Sequence, residues 1–197
     1  MNLGSTESEI LVFLASGHDG YYIQQIQDGL NRRSYRPVRQ AVGSLESKGL
    51  IEMRLGVSEK KTRQKHYWIT EKGVAFLFAH PELGADYKSV VMHQGKNYPN
   101  ITGLWKIIEA INKVLGPGFL DEIVPYCGRV YMELAGTQTP DLSQFSGAVF
   151  SMVAGWMWGK GFTRKQIKKF INELRQSEDE DIRKAVRDAQ FIAQGRS

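Results

Sequence analysis

Residues 34–70, SYRPVRQAVGSLESKGLIEMRLGVSEKKTRQKHYWIT, constrain what this chain can fold into more than any other stretch. Val38, Val42 and Leu45 recur at i, i+4 and i+7, which makes one apolar stripe at helical period. Ser34 is suited to the N-cap, and Pro37 falls in the first turn, where a missing N–H is harmless. Gly49 accepts the left-handed conformation that ends a helix. The opposite face carries Arg36, Arg39, Gln40, Gly43 and Ser44, long donors first and small residues after, so it can lie against another surface. Ile51, Met53 and Leu55 then alternate with Glu52 and Arg54, the period of a strand. Gly56 to Arg63 form a basic tip, and Lys65, Tyr67 and Ile69 alternate with His66 and Trp68 in a return strand. Thr70 caps another helix, with Glu71 supplying negative charge to its first turn.

The charge of the stretch agrees with its pattern. Between residues 31 and 66 ten Lys and Arg face three Glu, a local excess of +7, whereas the whole chain carries +5. Most charge runs are solvated faces. This one falls on a helix and a hairpin, where cationic side chains form the electrostatic footprint of a duplex DNA-binding surface.

The preceding residues supply two more helices. Thr6 and Glu9 have the spacing of a capping box, and Ile10, Leu11, Phe13 and Leu14 form the buried face of the first helix, which stops near Gly17. Tyr21-Tyr22 lead into a short second helix with Ile23, Ile26 and Leu30 on one side, ended by Gly29 and Asn31. After the hairpin, Val74 to Phe78 form a helix that stops before Pro81. Leu45-Glu46, Gly49 and Leu50-Ile51 follow the third helix, and Thr70-Glu71-Lys72-Gly73 follow the hairpin. In these motifs, over roughly residues 6–80, the chain resembles winged-helix transcriptional regulators of the MarR and PadR kind. The resemblance implies a winged helix-turn-helix of three helices and a two-stranded wing. It implies that the exposed side of Tyr35, Arg36, Arg39, Gln40 and Ser44 enters the major groove, and that Lys60, Lys61 and Arg63 lie along phosphates or the minor groove. Arg32, Arg33, Ser34 and Lys65 border that surface and complete the expected DNA-binding set.

The expected fold class is mainly α: a winged helix over 1–80, a connector over 81–100 and an all-α domain over 101–197. The connector holds Pro81, Gly84, Gly95 and Pro99, with a short helix or strand at 87–92. In the last domain, Ile101, Leu104, Trp105, Ile108, Ile111 and Leu115 keep a helical stripe. Pro125 is expected to kink or split the helix that follows. Thr139-Pro140-Asp141 opens the next one, Thr163 with Gln166 boxes another, and Ser177 with residues 178–181 starts the last.

Gly147, Ser151, Gly155 and Gly159 fall every fourth residue and form a smooth stripe on a helix that is otherwise apolar nearly all round and therefore expected to be central. Such a stripe serves either a homodimer interface or tight packing within one subunit. Trp105, Phe119, Tyr126, Tyr131, Trp156 and Trp158 either pack a core or line a pocket for a small-molecule effector, and their helical spacing favours the core.

No catalytic or metal site is expected. His18, His66, His80 and His93 share no ligand spacing, Asp121 and Glu122 point to different sides of a helix, and no phosphate-binding glycine loop or nucleophile elbow is present. No cofactor is implied. The single Cys127 excludes an intrachain disulfide framework and fits a reducing compartment. The start MNLGSTESE lacks the basic region of a signal peptide, and the longest apolar run is too short and interrupted to span a bilayer. The expectation is a cytoplasmic, sequence-specific double-stranded DNA-binding protein, a transcription regulator acting as a dimer. Two alternatives share the module: a winged helix used for protein–protein assembly, and a replication or partition factor. Assembly modules need few base-reading donors on the third helix, where this chain has Arg36, Arg39 and Gln40.

Overall fold

A computed structural model describes residues 2–57, 63–116, 118–135, 142–180, 182–184 and 186–187. It is mainly helical, with one small two-stranded antiparallel sheet. The chain divides into two compact units, 1–101 and 102–197.

The first unit runs α1 (Ser5–Ala15), α2 (Ile23–Gly29), α3 (Tyr35–Ser47), β1 (Ile51–Val57), β2 (Arg63–Ile69), α4 (Glu71–Ala79), a 3-10 turn (Pro81–Leu83) and α5 (Tyr87–Gln94). α1 begins two residues earlier than the Thr6–Glu9 spacing implies. Gly4 is its N-cap, and the Glu7 carboxylate accepts the Gly4 N–H at 2.7 Å. Glu9 is committed elsewhere, to Arg32. Ile10, Leu11, Leu14 and Ala15 of α1 are buried against α3, α4 and α5. Phe13, expected in that face, is half-buried and lies over Gly29, where a Cβ would sit 2.3 Å from its ring. Gly29 therefore serves close packing with α1, and the left-handed residue after α2 is Asn31, at φ 51°.

α3 is amphipathic in the expected sense: Val38, Ala41, Val42 and Leu45 are buried. Its end is a Schellman motif. Gly49 adopts φ 70°, its N–H bonds the Glu46 carbonyl, and the Leu50 N–H bonds the Leu45 carbonyl. β1 and β2 pair from Ile51↔Ile69 to Val57↔Arg63. Burial fades along the hairpin, from Ile51 at 1% exposed to Leu55 at 64%, so its outer half leaves the core. Tyr21 and Tyr67 exchange two backbone hydrogen bonds, which adds a bridge to the free edge of β2 that periodicity did not reveal. Thr70 caps α4 as expected, its hydroxyl accepting the Gly73 N–H.

Residues 81–100 are not a free connector; they fold onto the first unit. α5 packs on α1 and α4. Gln94, 3% exposed, sets its amide NH2 against the carbonyls of Leu14, Ala15 and Gly17, at and just beyond the end of α1. The Tyr98 hydroxyl donates to the Ile69 carbonyl at 2.6 Å. Burial, with the nearby Glu52 charge, pushes that phenol up to about 12.

The second unit contains most of α6 (Pro99–Leu115), then α7 (Phe119–Ala135), α8 (Leu142–Gly159) and α9 (Arg164–Arg175). The described residues from 180 to 187 are also helical. Pro125 does not split α7, which is continuous through it. Ile123, Val124, Cys127 and Tyr131 on both sides are buried, and their shared burial outweighs one missing backbone hydrogen bond. Burial pushes the Cys127 thiol up to about 12, which leaves it protonated and unreactive. α7 packs on α8, where Phe119 meets Trp156 edge-on and Glu122 accepts from Trp156 and Lys160. α9 carries the Thr163–Gln166 box as expected. The cap at 139–141 lies outside the described residues.

α8 is not buried all round. Val149, Val153 and Met157 face the core, while Gly155, Trp158 and Gly159 are exposed. The aromatic set also divides: Trp105, Phe119 and Tyr131 are buried, whereas Tyr126 and Trp158 are 43% and 65% exposed. Among the described residues no helix is long and apolar enough to cross a membrane.

Candidate nucleic-acid interface

The expected contact residues divide by where the fold sends their side chains. Tyr35, Arg36, Arg39 and Gln40 follow one another along the outer face of α3, all exposed, and Ser44 one turn on is half-buried. They are held there by the buried stripe behind them, because a helix anchored through Val38, Val42 and Leu45 must turn these positions outward. Ser34 occupies the N-cap but makes no side-chain cap bond. Arg33 precedes it and is exposed, as is Lys65 on β2. Arg33, Arg36, Arg39 and Lys65 have no ion-pair partner among the described residues.

Other cations of the basic stretch are paired with acids. Arg32, expected at the contact surface, is exposed and paired with Glu9 of α1. Hydrogen bonding from Arg32 holds the Glu9 carboxyl below the usual range. Lys48 pairs with Glu7 at 2.7 Å. Burial works to raise the Glu7 carboxyl, but donors from Lys48, Ser44 and the Gly4 N–H outweigh it, and the group lies below its ordinary value. Arg54 pairs with Glu52 and also lies over the Trp68 ring, 5.2 Å from its centroid. A count of charge along the chain therefore overstates the cationic surface. The acids of α1 lie 23 and 41 residues from the cations they neutralise, and no local pattern links them.

The hairpin and α3 share one electrostatic neighbourhood. Burial raises the Tyr67 phenol above its ordinary range; Glu46 and Tyr35 add to the rise and Arg39 opposes it. β2 thus lies near the Arg39 side of α3. His66 on the other face of β2 serves structure: its Nδ1–H donates to the Gly20 carbonyl at 3.1 Å, and its ring stacks with Trp68. Lys60 and Lys61 lie outside the described residues, and Arg63 is described through its backbone alone, as the first residue of β2.

In the second unit, Gly155 and Gly159 have nothing within 4 Å of where a Cβ would be. At those two positions the stripe packs against none of the described residues. The surroundings of Gly147 and Ser151 lie outside what is described. Among the described residues no group of three or more His, Cys, Asp or Glu is arranged to hold a metal ion.

Comparison with known protein families, curated proteins and solved structures finds no match to this chain.

Proposed function

We propose that residues 1–101 form a winged-helix module that binds double-stranded DNA, and that the protein is a sequence-specific transcription regulator acting as a homodimer. The observation that carries this reading is the outer face of α3. Arg36, Arg39 and Gln40 stand exposed in succession on a helix whose other face is anchored in the core. Arginine forks match guanine O6/N7 and glutamine matches adenine N6/N7, so these residue types are what a helix in the major groove needs. β1 and β2 supply the wing, with Lys60, Lys61 and Arg63 at its tip. The salt dependence of duplex binding tests this part. Replacing those three residues with Gln is expected to flatten the slope of log Kobs against log salt by about 0.9 for each phosphate that is no longer neutralised. An unchanged slope would remove the wing from the interface.

Dimerisation is assigned to α8. A single module reads only a few base pairs, and two-fold dimers reading paired half-sites are the usual remedy. Gly155 and Gly159 are open to solvent with Trp158, 65% exposed, beside them. That surface suits the close approach of a second copy. Gly155→Leu meets no atom of the described residues within 4 Å at the new Cβ, so the subunit should keep its fold. Across a dimer contact the added bulk should cost about 1–3 kcal/mol. Sedimentation equilibrium should find the wild type dimeric and the variant shifted toward monomer. A monomeric wild type would end the dimer assignment.

A further inference from the structure

Most glycines of the first unit have visible reasons to be glycine or stand at a helix end, as Gly4 does at the start of α1 and Gly95 at the end of α5; Gly43 is the one inside a helix with no such reason. A Cβ at Gly17, Gly20, Gly29, Gly56 or Gly73 would come within 2.8 Å of a neighbouring atom, and Gly49 and Gly84 adopt φ near 70°. Gly43 has neither reason. It lies in the interior of α3, exposed, at ordinary helical φ, with nothing within 4 Å of where its Cβ would be. Glycine weakens a helix interior relative to alanine, because it has more backbone freedom to lose. Among the described residues no neighbour offsets that loss, which leaves the outer surface of α3 as the place where the missing side chain matters.

The place of Gly43 identifies what approaches it. Arg39 and Gln40 lie one turn before it on the same outer face, so it belongs to the surface assigned above to the major groove, and the inference rests on that assignment. In a helix interior the backbone N–H is already bonded four residues back. The notch at Gly43 therefore offers only Cα hydrogens, a neutral apolar floor. A phosphate oxygen would gain nothing there. The apolar group that projects into the major groove is the C5-methyl of thymine. We infer that Gly43 is a specificity-determining residue that seats a thymine methyl against the backbone of α3. Gln40, one turn away, is matched to the adenine edge of that pair or the next.

The experiment uses the full-length protein and a duplex enriched by it from a random pool, with each thymine replaced in turn by deoxyuridine, which lacks the methyl. At one thymine the wild type should lose about threefold to fivefold in affinity, the worth of one buried methyl-sized group. Gly43→Ala should bind the unmodified duplex about tenfold more weakly and show no such preference at that thymine, because its own methyl fills the notch. Its melting temperature should rise by about 2–4 °C, since alanine is the better helix former. A variant that melts below the wild type would show an intramolecular need for glycine and overturn the inference. So would an unchanged thymine preference in the variant, or a wild type indifferent to every replacement, with DNA binding itself left standing. A wild type that enriches no duplex would instead defeat the DNA-binding reading, and this inference with it.

Discussion

Phe78→Ala is expected to destabilise the protein by about 3–5 kcal/mol, the range for deleting a buried aromatic ring from a close-packed core. Phe78 is 0% exposed at the C-terminal end of α4, a helix buried continuously from Gly73 to Ala79. Its ring meets Tyr87 of α5 edge-on, with centroids 5.4 Å apart. Removing it opens a cavity where α4 and α5 meet. Neither helix can close the gap freely, because Gln94 fixes the end of α5 to the end of α1. Domains of this size are stable by about 5–15 kcal/mol, so the loss is a large share of the whole. Urea denaturation of wild type and variant checks it through the midpoint and slope. A shift worth less than about 1 kcal/mol would mean that α5 does not form part of the same core.

Arg36→Ala and Arg39→Ala are expected to affect DNA rather than stability. Both side chains are exposed, so their removal should move stability by no more than about 0.5 kcal/mol. Each bidentate base contact supplies about 1–3 kcal/mol of discrimination, so removing one should relax sequence preference by about fivefold to more than a hundredfold. Nearly uniform weakening across good and poor sites would instead assign the arginine to phosphate.

The parts of the fold that were legible in the sequence are those set by neighbours along the chain. The end of α3 at Gly49, the Thr70 cap and the Thr163–Gln166 box each depend on residues within a few positions, and each forms as its residue types dictate. The misplaced start of α1 shows the limit of that reasoning. Two acids stood at usable distances from a cap, and the choice of Glu7 over Glu9 is linked to Arg32, 23 residues further on. The segment 81–100 looked like a connector because its polar residues and glycines resemble those of a loop. Its role lies in Gln94, a buried polar side chain whose carbonyl partners sit 77 to 80 residues away. Of the two outcomes expected at Pro125, a kink or a split, the split does not occur, because burial on both sides holds the helix together. At the interface, periodicity identified the outward face of α3. It could not show that Arg32, of the expected contact set, and Lys48 and Arg54, counted in the local charge excess, are paired with acids.

The central claim is that the outer face of α3 reads duplex DNA. Its most direct test is a selection of bound duplexes from a random pool, run in parallel with the full-length wild type and an Arg36→Ala/Arg39→Ala double variant. The wild type should enrich a defined sequence, and the double variant, still folded, should enrich none. Failure of the wild type to enrich any sequence, or recovery of the same sequence by the double variant, would contradict the account.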